Sequence, residues 1–329
     1  MNAVIGLITR KIKTISSEVG FHAVGVTRFE IPEDAEQRFL KWREKGYAGD
    51  MQFLKNYEAR RDQLLSEAAW AKSVIVLGVN YYQKEKNPEP PGPGFGKVAR
   101  YAWGEDYHKA IRKRHETFIN RLKTEVSAEA RFLSSIDTRP LFERELAQRS
   151  GLGFIGKQNQ LLSLQFGPWL FLSEILTDLE LEEDAPHLGT CGTCRICIDA
   201  CPTDAIVGPR ELDATKCIAY HTIENPGEIP ENVQSKMDKW FFGCDICLTV
   251  CPYTAKSKVT DWEEFRGLSL EGTVPGWVDM NAILSLKSQG EFRRKFKTSA
   301  ISRINKKQAI RNAKVTLRNS NVIPAKAGI

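Results

Sequence analysis

All eight cysteines of the 329-residue chain stand between residues 191 and 251, and their spacing could do redox chemistry. Cys191, Cys194, Cys197 and Cys201, followed by Pro202, read C-x2-C-x2-C-x3-C-P. Cys217 stands alone, and Cys244, Cys247 and Cys251, followed by Pro252, complete a second set. Two-residue steps let three thiolates converge on one 4Fe–4S cube, and the three-residue step with proline sends the fourth thiolate to the other cube. One cluster therefore takes Cys191, Cys194, Cys197 and Cys251. The other takes Cys201, Cys217, Cys244 and Cys247. Disulfides would need an oxidising compartment, of which the sequence carries no sign. A zinc site made from two C-x2-C pairs would leave the Cys-Pro ends unexplained.

Clusters in series pass single electrons, so the remaining chain must supply what receives them. Hydrophobic content of 42% and charged content of 27% fit a soluble globular protein. No apolar run approaches the ~20 residues that span a membrane. The first residues show no signal-peptide pattern, and a cytoplasmic location is expected. The net charge of +6 is unevenly spread: from Lys287 onward there are 12 Lys or Arg and one acid, Glu291. Such a segment reads either as a polyanion-binding surface or as a solvated tail.

The elements that must position this chemistry can be followed along the chain. Ile5, Ile8, Ile12 and Ile15 recur at helical spacing over 4–18. HAVGVT (22–27) predicts a strand, 33–44 a helix, and KSVIVLGVNYY (72–82) a buried strand. PEPPGPGFG (88–96) predicts an exposed loop. A basic helix over 109–125 and a strand over 130–137 follow. The next helix is expected from Pro140 to Ser150, with Gly151 as its C′ residue. QLLSLQFGPWLFLSEILTD (160–178) alternates as strands with a turn at Gly167–Pro168.

Three shorter signals need weighing. Gly151, Gly153 and Gly156, with Lys157, fit a G-x-G-x-x-G phosphate loop, but they follow a helix rather than a strand, and position 158 is Gln. Asp106 and His108 match the start of D-x-H-x-x-G, an element of proteins that hold cobalamin through histidine. Ile111 occupies the glycine place, so no histidine–cobalt bond is inferred. Asp137 reads in two ways: it or Thr138 caps the next helix, or it is a proton donor at a strand end. Arg144, with Glu143 and Glu145 beside it, reads equally as a solvated face.

The whole arrangement resembles the epoxyqueuosine reductase family, cobalamin- and iron–sulfur-dependent enzymes of queuosine synthesis. The resemblance rests on GYAGDMQFL (46–54), RYAWGEDYH (100–108), DTRPLFERELAQRSGLGFIGK (137–157), CIAYHTIE (217–224), RNAKVTL (311–317) and both cysteine sets. It implies an α+β chain: an α/β cobalamin-binding and catalytic domain over 1–185, a bacterial ferredoxin-like two-cluster module over 186–256, and a basic helical segment over 257–329. That last segment would be a truncated HEAT-like repeat domain, because VIPAKAGI at the end departs from family sequence.

The implied reaction removes the epoxide oxygen of epoxyqueuosine at the wobble position of tRNAs with a GUN anticodon, those for Asp, Asn, His and Tyr. Family roles would place the proton donor on Asp137 and the substrate-contacting arginine on Arg144. Cobalamin contacts would fall on Arg60, Tyr107, His108, Asp137, Gly153, Gly156 and Lys157, with Tyr220 and Thr222 between the second cluster and the corrin. The electron donor would be a flavodoxin or ferredoxin, and the protein a monomer. Phe154, Gln158 and His221 depart from the family's usual Trp, Asn and apolar residue. A side chain cannot supply the low-potential reductant that opening an epoxide demands, whereas a cofactor can. The departing oxygen then needs an acid beside it, which suits Asp137 if an apolar corrin face raises its pKa. Two other classes stay open: a dehalogenase-like reductase of small molecules, and a ferredoxin-type electron carrier.

Overall fold

The computed structural model describes residues 2–85, 88–267, 273–274 and 276–320; the VIPAKAGI end lies outside them. The first part of the chain runs α1 (Asn2–Val19), β1 (Ala23–Arg28), α2 (Glu33–Glu44), α3 (Gln52–Lys55), α4 (Tyr57–Glu67), β2 (Ser73–Asn80) and β3 (Phe95–Val98). It continues with α5 (Tyr107–Glu125), β4 (Phe132–Ser135), α6 (Glu143–Arg149), β5 (Phe154–Ile155), β6 (Leu161–Leu162) and β7 (Leu170–Thr177).

The main sheet has the order β1-β2-β7-β4, and every neighbouring pair is antiparallel. All eight residues of β2 are buried, because helices cover both faces. Alternate residues Ile75, Leu77 and Val79 pack with Ile12 and Ile15 of α1 and Phe118 of α5. Val74 and Val76 point the other way, onto Leu64 of α4 and Leu146 of α6. The unbroken apolar run in β2 therefore reflects a three-layer sandwich, even though its ladder is antiparallel. Each of these side chains contributes about 1.5–3 kcal/mol by leaving water.

Two boundaries differ from the sequence expectation. The proline-rich loop ends earlier than expected, since Phe95 and Gly96 already belong to β3 and pair with Asp279 and Val278. The helix after Asp137 starts at Glu143 rather than Pro140, behind a tight turn in which Leu141 N–H donates to Arg139 C=O at 2.8 Å. Its N-cap is Phe142, so neither Asp137 nor Thr138 caps it. Gly151 closes it with φ +80°, as a C′ glycine should.

The cysteine-bearing stretch holds α7 (Ile196–Asp199), β8 (Ile206–Gly208), β9 (Glu211–Leu212), α8 (Ile218–Ile223), α9 (Glu231–Gln234), β10 (Trp240–Phe242) and α10 (Ile246–Thr249). β11 (Thr273–Val274), β12 (Trp277–Asp279), α11 (Met280–Leu284), α12 (Gln289–Lys295) and α13 (Lys306–Ser320) follow. A second sheet, β10-β3-β12-β11, draws strands from before, within and after the cysteine-bearing stretch. Phe241, Phe242, Val278, Phe292, Phe296 and Ala313 share one core beneath it. Asn312 of α13 ties the layers, donating to Thr222 C=O at 2.8 Å and Phe241 C=O at 3.0 Å. Among the described residues, no helix is long and apolar enough to cross a membrane.

Candidate active site between two cysteine groups and a large cavity

Cys251 lies within electrostatic reach of Cys191, Cys197 and Cys194, and Cys247 within reach of Cys217, Cys201 and also Cys197. Among the described residues no three Cys, His, Asp or Glu are arranged to hold a metal ion. Cys244 in turn feels Cys247 and Cys217. Backbone N–H groups point at the sulfurs: Ala205 donates to Cys201 Sγ at 3.3 Å, and Ala219 and Tyr220 donate to Cys217. Burial pushes the thiols of Cys197, Cys217, Cys244, Cys247 and Cys251 up, so only a strong electrophile such as iron would hold them as thiolates. Buried sulfurs ringed by N–H donors are the chemistry that cube clusters use.

Against the second group opens a cavity of about 930 Å³. Its lining includes Cys244, Asp245 and Leu248, the aromatic Tyr101, Tyr107 and Phe171, and the charged Arg60, Asp137 and Arg144. The Tyr107 ring lies flat on Phe171, with centroids 4.5 Å apart and planes 10° apart. Asp245 accepts from Arg100 N–H at 2.6 Å, which fixes the turn between Cys244 and Cys247.

Asp137 follows β4 in a left-handed backbone conformation, φ +52°, that an aspartate tolerates better than most residues. Three contacts hold it there. Tyr107 Oη donates to its Oδ2 at 2.7 Å, and its own N–H donates to Glu143 Oε1 at 3.0 Å. Arg60 Nη2 donates to the next carbonyl, Thr138 O, at 2.9 Å. Arg139 is tied back to Glu67 at 2.8 Å. Burial and the Asp137 charge push the Tyr107 hydroxyl far above its ordinary range. Arg144 is exposed, and its Nη1 donates to Asn159 O at 2.7 Å.

Of the residues singled out from the sequence, Arg60, Tyr107, Asp137 and Arg144 line the cavity together. The other cofactor candidates do not line it. His108 stacks on Tyr107, with Nδ1 2.8 Å from Asp106 Oδ1. Gly153 and Gly156 press on the β5–β6 hairpin, where a Cβ would meet Leu162 O at 2.3 Å or Gln158 Oε1 at 2.4 Å. Lys157 Nζ donates to Gly192 O at 2.7 Å and Cys194 O at 2.8 Å, bracing the first cysteine loop. Tyr220 Oη accepts from Asp50 N–H at 2.8 Å, and Thr222 Oγ1 donates to Ile218 O and accepts from Gly243 N–H. Phe154 stacks on His187, and His221 is fixed between Thr215 O and Asn225. Gln158 sits buried near Cys197 Sγ.

Sequence reasoning missed Glu174 and misjudged Glu143. Glu174 is fully buried in β7, and Glu143 turns toward Asp137 instead of solvent. Burial pushes both carboxyls up, reinforced at Glu143 by the Asp137 charge and at Glu174 by Glu143. The one available signal was an acid in the middle of the apolar run WLFLSEIL.

Aromatic and polar side chains share the cavity lining with Arg210, whose buried Nε has no partner among the described residues, and this mixture suits a corrin disc edged with amides. Together with the paired cysteine groups, these features define an iron–sulfur redox enzyme with room for a large cofactor. Residues 190–254 match the 4Fe-4S double cluster binding domain, and 61–138 match the model described as epoxyqueuosine reductase QueG, DUF1730. The chain is 36% identical over 316 residues to the epoxyqueuosine reductase of Atelocyanobacterium thalassa, covering 94% of this chain and 99% of that one. A crystal structure of epoxyqueuosine reductase with an epoxyqueuosine-modified tRNA-Tyr stem loop superposes with TM-score 0.85, 26% identity, and coverage of 95% and 82%. The Bacillus subtilis enzyme, with its catalytic aspartate loop swung out of the active site, superposes with TM-score 0.82, 26% identity and the same coverage. The chain belongs to the epoxyqueuosine reductase family. It carries a double 4Fe–4S domain, and its family is cobalamin-dependent.

Proposed function

We propose that the chain reduces epoxyqueuosine to queuosine at the wobble position of GUN-anticodon tRNAs. One observation carries this: an aspartate fixed by a tyrosine lines the same cavity as Cys244 of the second cluster set. Bound cobalamin would supply the low-potential reductive chemistry, and Arg60, Tyr107 and Arg210 would hold it. Asp137 protonates the departing epoxide oxygen, and Tyr107 aims its carboxyl. Arg144 contacts the substrate. Arg60 and Arg139 keep the Asp137 loop seated, and the swung-out aspartate loop of the Bacillus relative supports a segment that must be held.

The division into a catalytic domain over 1–185, a two-cluster module over 186–256 and a HEAT-like helical segment over 257–329 belongs to the same reading. Exposed Arg293, Arg294, Lys297, Lys307 and Lys314 give that last segment a phosphate-binding face. A cytoplasmic monomer fed by a flavodoxin or ferredoxin completes it. The test is conversion: anaerobic protein with reductant, cobalamin and tRNA carrying epoxyqueuosine, digested to nucleosides. Queuosine is expected. Its absence with clusters and corrin in place overturns the reading, whereas turnover of an organohalide instead would favour a small-molecule reductase.

A further inference from the structure

Deoxygenating an epoxide to an alkene breaks both C–O bonds, forms a C=C bond and releases water. It consumes two electrons, delivered singly by a low-potential donor, and two protons. Asp137 holds one. Its neighbour Tyr107 is a poor second source, because burial and the Asp137 charge hold its proton too tightly.

Directly behind Asp137 lie two further carboxyls. Glu143 opens α6, and its Oε1 accepts the Asp137 N–H at 3.0 Å. Glu174 lies in the middle of β7 with 0% exposure, and neither of its oxygens has a conventional donor among the described residues. Glu143 is its charged neighbour and raises it further. An ionised carboxylate buried without a donor is costly, so Glu174 is kept as the neutral acid. Ser135, opposite Glu174 in the β4–β7 register, has a buried hydroxyl that also lacks a partner. The charges facing Glu143 are Asp137 from the preceding loop, Glu174 from β7 and Arg144 from its own helix. Tyr107 faces it from α5, and Arg144 gives a hydrogen bond to Asn159 O. No cation neutralises the pair by direct contact among the described residues.

We propose that Glu143 is the proton reserve of the reaction: it reprotonates Asp137 after the first C–O bond opens, and Glu174 supports it by donating a hydrogen bond to the new carboxylate. The proposal rests on the functional reading above. In sequence, the Asp137 carboxylic acid gives its proton to the epoxide oxygen as one C–O bond breaks. Glu143 then passes its own proton to the Asp137 carboxylate. Asp137 gives that proton to the same oxygen, which leaves as water as the second C–O bond breaks. Glu174 keeps its proton throughout, leaving one proton shared by two carboxyls, an arrangement that adjacent acids sustain. Both groups being held up toward neutrality by burial accords with a pair that enters turnover fully protonated. Solvent refills Glu143 between turnovers.

Two measurements test this with the full chain carrying its clusters and cobalamin. In the first, Glu143→Gln is expected to lower steady-state turnover about tenfold or more. It should also remove the alkaline limb that Glu143 adds to the pH–rate profile, while iron, corrin and tRNA affinity stay at wild-type levels. The second is infrared spectroscopy at neutral pH on the protein without substrate. A carboxylic-acid carbonyl band is expected in the wild type and weaker in both Glu143→Gln and Glu174→Gln. Wild-type pH dependence in Glu143→Gln, or no such band in the wild type, overturns the proposal. If Glu143→Gln does not fold, Glu174→Gln and the wild-type spectrum still decide it. If the wild type makes no queuosine, the functional reading fails separately from the infrared result.

Discussion

The Tyr107 hydroxyl donates to Oδ2 of Asp137 at 2.7 Å, joining the start of α5 to the loop after β4. Tyr107 is itself immobilised on Phe171, so the carboxyl is aimed by a rigid aromatic stack. A hydrogen bond that aims a neutral acid is worth about 0.5–1.5 kcal/mol. Tyr107→Phe should therefore slow single-turnover conversion roughly twofold to tenfold, with iron and corrin content unchanged. Asp137→Asn should retain both cofactors and lose nearly all conversion. Equal rates for Tyr107→Phe and wild type would make the contact packing alone.

Lys157 spends its ammonium on the carbonyls of Gly192 and Cys194, inside the first cysteine loop. Lys157→Met should make that cluster the labile one. Timed chelation should strip roughly half of the iron quickly and leave the remainder at the wild-type rate. Uniform loss from both clusters would show that the lysine braces nothing specific.

Much of this site was legible in the residue order, and what was not has identifiable causes. The Ile5–Ile15 periodicity gave α1, and the cysteine spacing gave the double-cluster domain, because cluster ligation leaves few alternatives to C-x2-C-x2-C-x3-C-P. The helix after Asp137 was placed too early because Pro140 is a favourable helix start. The chain uses it instead in a turn that swings Glu143 under Asp137. Glu174 was invisible for a different reason. Its role depends on Glu143, 31 positions away, arriving beside it, and no local pattern encodes that meeting. Gly153 and Gly156 looked like ligand-facing glycines, yet they answer to the backbone of the β5–β6 hairpin. The count of basic residues near the end does not by itself give a surface, since Arg311 is spent on the carbonyls of His221 and Asn225.

His115 is buried between two hydroxyls, 2.6 Å from Ser134 Oγ and 2.9 Å from Ser173 Oγ. Burial lowers its pKa to about 3. Between pH 3 and about 6.5 the unfolded chain therefore binds a proton that the folded chain refuses, so stability falls as pH drops through that window. The loss from this residue is at most on the order of 5 kcal/mol. Denaturation midpoints measured from pH 7 to pH 4 should fall more gently in His115→Gln than in wild type. Parallel curves would assign the acid sensitivity elsewhere.

Binding to tRNA should weaken steeply with salt, because exposed Arg293, Arg294, Lys297, Lys307 and Lys314 would displace counterions from phosphates. Replacing Arg293 and Arg294 together with Gln should reduce the salt slope by about two. An unchanged slope would remove α12 from the contact surface.

The most direct measurement is the iron, sulfide and corrin content of anaerobically reconstituted protein. The expected result is about eight irons, eight sulfides and one corrin per chain, the corrin lost when Cys244 and the Tyr107–Phe171 stack are disrupted. A protein that holds its full iron yet never retains a corrin would contradict the account at its centre.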